Sequence, residues 1–231
     1  PDFDYRFYSD AEIESFIRQH YGSAVLNSYR RIDPRYGAAR ADLFRYLCIH
    51  QYGGIYLDIK ASVSRPLRDV LQADDHYLLS QWDQYKYRGW GSARELATIP
   101  GGEYQQWHVI AAPGHPFLAA VIQRVLTNID AYDPFRNDAG PGAVLRLSGP
   151  VAYTLAIHPL LDRYPHRFVD IEQDLGIGYT IFPTSAAHYS LFRGHYTRQT
   201  RPLVSVPPWK AVLYRIYRIL RGGLRRLRLL R

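Results

Sequence analysis

ARADLFRYLCIHQYGGIYLDIKASVSRPL, residues 39–67, changes its hydrophobic period halfway along. Up to Gln51 the apolar residues Leu43, Phe44, Leu47 and Cys48 recur three and four apart, which predicts a helix over 38–51 opening after the Asp33-Pro34 turn. Gly53-Gly54 stops that helix and admits a tight turn, and Ile55, Tyr56, Leu57, Asp58 and Ile59 then read as a buried strand. Asp42 and Arg45, three apart, share one helix face. From there the arginine can pair with the aspartate or reach a phosphate, while the carboxylate accepts sugar hydroxyls. A structural ion pair is the plain alternative, and a Gly-Gly helix stop needs no ligand. The glycines nevertheless stand directly before a strand that ends on a carboxylate, Asp58, which points to a close approach by substrate.

Working outward, Tyr5 to Tyr8 reads as a short strand, and Ser9 with Glu12 is a capping box opening a helix to about His20, ended by Gly22. Further strands are expected at 77–81, 107–112 and 179–182, and helices at 115–129 and 150–161. Strands alternating with helices predict an α/β sandwich whose ligands lie at the carboxyl ends of the strands. Trp82, Tyr85, Tyr87 and Trp90, bounded by Gly89 and Gly91, form an aromatic loop suited either to stacking on a sugar or base or to packing beneath the loop.

The 231 residues, 47% hydrophobic and 22% charged, exclude a disordered tail or a disulfide-stapled mini-protein. Cys48 is the only cysteine, so no intrachain bridge forms, and cysteine chemistry is not expected at the centre of function. The chain has no Met and starts at Pro1, read as an N-terminus lying inside a longer product. The net charge of +8 is concentrated at one end: eight of the 29 basic residues lie between Trp209 and Arg231 with no acidic residue, and the other 21 match the 21 acidic residues. That distribution argues against nucleic acid as the partner of the body.

The ordered run Asp42, Arg45, Gly53-Gly54, Ile55-Tyr56-Leu57 and Asp58-Ile59-Lys60 resembles the sugar-binding region of DXD-containing glycosyltransferases. That family includes yeast initiating alpha-1,6-mannosyltransferases, bacterial capsular polysaccharide transferases and, more distantly, clostridial glucosylating toxins. The resemblance implies a GT-A-like α/β nucleotide-sugar-binding fold with a mixed central sheet, incomplete at the N-terminus, over residues 1–208. It implies donor contacts from Asp42, Arg45, Gly53, Gly54, Tyr56, Asp58 and a polar contact near Gln106 or Trp107, with Asp58, Arg45 and Lys60 as catalytic groups. Mn²⁺ or Mg²⁺ would be held by Asp58 and by His188, the loose match to a family histidine beside the diphosphate. Position 60 departs from the strict motif, since a protonated lysine has no lone pair for a metal. Two readings stand: Lys60 replaces part of the ion's charge, or Asp58 and a later residue bind the ion. Ser148-Gly149-Pro150 matches a family element that opens a helix near the site, where its ordinary role is a cap, and His115 reads as a helix-start residue.

The function so implied is transfer of a sugar from a UDP- or GDP-sugar to a surface glycan or lipid-linked acceptor, with retention. The competing readings are an inactive carbohydrate-binding or scaffold protein of the same fold and a sugar-phosphate or nucleotide hydrolase. Residues 209–231 form a basic amphipathic tail, with Val212, Leu213, Ile216, Ile219, Leu220 and Leu227 on one helix face and arginines opposite. Such a helix is expected on an anionic membrane surface, giving a peripheral protein of the cytoplasmic face of an inner membrane, or a cytoplasmic one if the tail binds no membrane.

Overall fold

In the computed structural model, residues 3–181 and 199–228 are described, those from 222 on by their backbone alone. His188 lies outside the described residues. The elements run α1 (Asp10–Arg31), α2 (Gly37–Tyr52), β1 (Gly54–Leu57), β2 (Ser62–Val63), β3 (Tyr77–Leu79), β4 (His108–Ala111), α3 (Pro116–Asp130), α4 (Pro134–Asn137), α5 (Pro141–Leu147), α6 (Pro150–Ile157), β5 (Arg167–Phe168), β6 (Ile177–Gly178) and α7 (Pro208–Arg228).

The expected mixed central sheet is present, in the order β1-β4-β3-β5, antiparallel except for the parallel β3–β5 pair. A two-stranded antiparallel ribbon joins β2 to β6. Alternation along the strands serves two apolar layers. Tyr77, Leu79, Val109 and Ala111 pack with the helices, whereas Leu78 and Ile110 pack with Val169, Ile171, Leu175 and Ile177 on the opposite face.

Several expectations need correcting. Residues 5–8 form no strand; Tyr8 instead packs edge-on against Phe16 and Phe44. Ser9 and Glu12 make the capping box, but Gly22, at φ 77°, kinks the helix rather than ending it, and α1 runs on to Arg31. The strand expected at 179–182 is β6, shorter and earlier. β1, expected to be buried, is an edge strand of intermediate burial, since among the described residues β4 alone pairs with it. Ser148-Gly149-Pro150 does open α6, with Gly149 at the cap position. His115 does start α3, its side chain accepting from the Phe117 N–H.

Candidate functional site

The site is built where β1 ends beside α2. Ile55 and Leu57 face one layer and Tyr56 the other, so the next same-face position, Asp58, meets the helix side. The Tyr56 hydroxyl donates to Asp58 Oδ1 at 3.0 Å, and Arg45 lies 3.2 Å from the same oxygen, its guanidinium 4.4 Å from the centre of the Tyr56 ring. The backbone helps as well, since the Asp58 N–H donates to the Trp107 carbonyl at 2.8 Å. Asp58 Oδ1 is therefore fixed, while Oδ2 accepts no hydrogen bond from the described residues and the side chain keeps 26% exposure.

Behind this carboxylate lies a buried polar hub. Arg45 bridges Asp58 and Asp42, the latter at 3.0 Å, and donates to the Gln106 carbonyl at 2.7 Å. Asp42 also accepts from Ser148 Oγ at 2.8 Å and from Gln106 Nε2 at 3.3 Å. Burial works against the charged guanidinium, but Tyr56, Asp58 and Asp42 outweigh it and hold Arg45 protonated. Burial also pushes the Asp42 carboxyl up, against the pull of Arg45, Ser148 and Gln106. In this arrangement Asp42, Arg45 and Gln106 position Asp58, each being engaged by protein partners.

Lys60 follows the strand. Its ammonium donates to the Tyr179 hydroxyl at 2.6 Å and lies 3.8 Å from that ring's centre, with no carboxylate at ion-pair distance among the described residues. Desolvation lowers its pKa, partly offset by the charge of Asp58. Tyr179 also borders a cavity of about 430 Å³ walled by Trp82, Tyr87 and Trp107, with Asp83 and Glu172 at its edge. Trp82 packs edge-on against Tyr87, Trp90 and Tyr179, Trp90 packs edge-on against Tyr179, and Tyr87 lies tilted on Trp90, so the aromatic loop packs on itself beside the cavity. Trp107 Nε1 is buried without a hydrogen-bond partner among the described residues.

Both glycines stand apart from Asp58. Gly54 stands at the other end of β1 from Asp58, about 13 Å away at strand rise. A Cβ on Gly53 would lie 2.7 Å from Pro113 Cδ, so the missing side chain admits protein rather than substrate. Tyr179 and Ser148 were not identified as partners of Lys60 and Asp42. Ser148 carried a signal in its Ser-Gly-Pro motif, whereas Tyr179, 119 residues from Lys60, carried none.

A metal fits only in part. Asp58 Oδ2 is open to serve as one ligand, Lys60 occupies the place of a second acid, and no group of three His, Cys, Asp or Glu among the described residues could hold an ion.

An edge-strand carboxylate braced by a helix arginine, with a lysine beside it, sits within the segment that a sequence model of the "Glycosyltransferase sugar-binding region containing DXD motif" family matches, residues 1–78. The likeness read from 39–67 thus extends over the first third of the chain. An inositol phosphoceramide mannosyltransferase of Schizosaccharomyces pombe is 30% identical over 126 residues, 54% of this chain and 29% of the relative. The initiation-specific alpha-1,6-mannosyltransferase of the same yeast is 24% identical over 185 residues, 70% of this chain and 42% of the relative. The chain therefore spans less than half the length of either. The solved PaToxG Glycosyltransferase aligns at a TM-score of 0.42 and 17% identity, over 78% of this chain and 59% of that one.

Proposed function

We propose that the protein is a nucleotide-sugar-dependent glycosyltransferase that moves a sugar from a UDP- or GDP-sugar to a hydroxyl of a surface glycan or lipid-linked acceptor, with retention. The observation that carries this reading is Asp58, one oxygen locked by Arg45 and Tyr56 and the other left open, with the Lys60 ammonium beyond ion-pair distance but within reach of its charge. The open oxygen accepts hydroxyl hydrogen bonds from the donor, and the ammonium lies against its diphosphate. In the transfer step the bond from the anomeric carbon to the phosphate oxygen breaks and the acceptor oxygen bonds to that carbon from the same face. The acceptor proton passes to the departing phosphate, whose growing charge Lys60 stabilises. Asp42 is engaged by three protein donors, so it is not the nucleophile a double displacement would need. A divalent ion on Asp58 and His188 would add charge stabilisation of the leaving group.

The curated relatives are mannosyltransferases by name and one acts on inositol phosphoceramide, which supports mannose as the first donor sugar to test and a lipid as the first acceptor. Ligand-detected NMR against UDP- and GDP-sugars, GDP-mannose first, with and without Mn²⁺, tests the reading. Selective binding lost in Asp58→Asn, together with a fall in transfer of about 100-fold or more in protein that remains folded, is expected. Transfer retained by Asp58→Asn overturns the assignment. The lysine at position 60 favours one second reading, a binding protein without chemistry, for which donor would bind but be neither transferred nor hydrolysed.

A further inference from the structure

An amphipathic helix on a globular body ordinarily turns its apolar stripe inward. α7 does the reverse. Lys210 pairs with Asp133 at 2.6 Å, the Tyr214 hydroxyl donates to Asp138 at 2.7 Å, and Arg218 and Arg221 lie 3.6 and 3.5 Å from Asp138. Tyr214 and Tyr217 pack against Phe135, and Tyr214 is buried. These residues form the inward stripe. The opposite stripe, Trp209, Val212, Leu213, Ile216, Ile219 and Leu220, is 49–66% exposed, with exposed Arg215 on the helix beside it. Arg218 and Arg221 lie opposite the apolar stripe as expected, and there they meet Asp138 of the body.

We infer that this outward stripe lies in the interface of an anionic lipid surface, with the inward stripe serving as its mount. Charge selects the occupant. Of the eight basic residues in 209–231, Lys210, Arg218 and Arg221 meet Asp133 and Asp138, which leaves Arg215, Arg225, Arg226, Arg228 and Arg231 in a segment with no acidic residue; a lipid surface of negative charge complements these, whereas a second copy of the same helix would bring like charges together. No helix of the described residues is long and apolar enough to cross a membrane, which leaves the interfacial placement. Trp209, at the start of the helix, suits that depth.

The test uses the full chain and does not depend on transfer activity. Co-sedimentation is measured with vesicles of phosphatidylcholine alone and of phosphatidylcholine mixed with phosphatidylglycerol, for the natural sequence and for Leu213→Ser, Ile216→Ser and Leu220→Ser combined. Those three side chains face away from the body, and an unchanged melting temperature checks that the fold survives. Binding to the anionic vesicles that falls at least about tenfold in the triple variant, and severalfold in Arg215→Gln, is expected. Trp209→Phe should remove the blue shift in fluorescence that accompanies binding. Failure to bind either vesicle, equal binding by the triple variant, or a dimer that the triple variant converts to monomer would overturn the inference.

Discussion

Lys60 and Arg45 are both cations beside Asp58, yet they do opposite work. Arg45 is sealed between two carboxylates, so Arg45→Ala strands buried negative charge and should cost about 3–5 kcal/mol of stability, read by chemical denaturation. A loss confined to activity would show that the hub is not structural. Lys60 is half-buried, and desolvation lowers its pKa, so its charged form is lost sooner than that of an ordinary lysine as pH rises. Transfer should therefore decline on the alkaline side at a pH below the usual lysine range. Lys60→Arg, which keeps its charge, should move that decline upward while lowering the rate at neutral pH through altered geometry. A profile identical in both proteins would remove Lys60 from the chemistry.

At the scale of elements, the α2–β1 corner depends on a missing side chain. Gly53 combines φ 68° with the close approach of Pro113, so Gly53→Ala should cost about 1–3 kcal/mol and lower the melting temperature, with no specific change in donor affinity in the protein that remains folded. A specific loss of affinity would return the glycine to the substrate site. α2, β1, α3 and the capping box of α1 were legible because local periodicity and cap chemistry determine them. The edge position of β1 was not, since neighbours in a sheet are chosen by tertiary pairing that a run of five residues cannot encode. For the same reason the grouping of Asp42, Arg45 and Asp58 could be anticipated from one continuous segment. The closing partners from Ser148 and Tyr179 arrive from distant parts of the chain, and only the first left a motif to follow.

At the scale of the whole molecule, the body and its tail meet at Asp138. Burial tends to raise this carboxyl's pKa, but the Tyr214 hydroxyl, the Ala139 N–H, Arg218 and Arg221 together hold it below its ordinary value. A lowered value in the docked state means that the contribution to docking is complete above the ordinary carboxylate range and is lost as pH falls through the lowered value. Hydrogen exchange of α7 amides should thus quicken on acidification relative to the body after correction for intrinsic rates, and Asp138→Ala should show that faster exchange already at neutral pH. Uniform protection in both proteins would mean that other contacts hold the helix. The mount has a geometric effect as well. Because Lys210, Tyr214, Arg218 and Arg221 attach the helix along about three turns, it cannot swivel, and any surface that holds its outer stripe holds the entire molecule in one attitude. Catalyst and lipid-borne acceptor would then find each other by drifting in a plane, a search in two dimensions with the tumbling already removed.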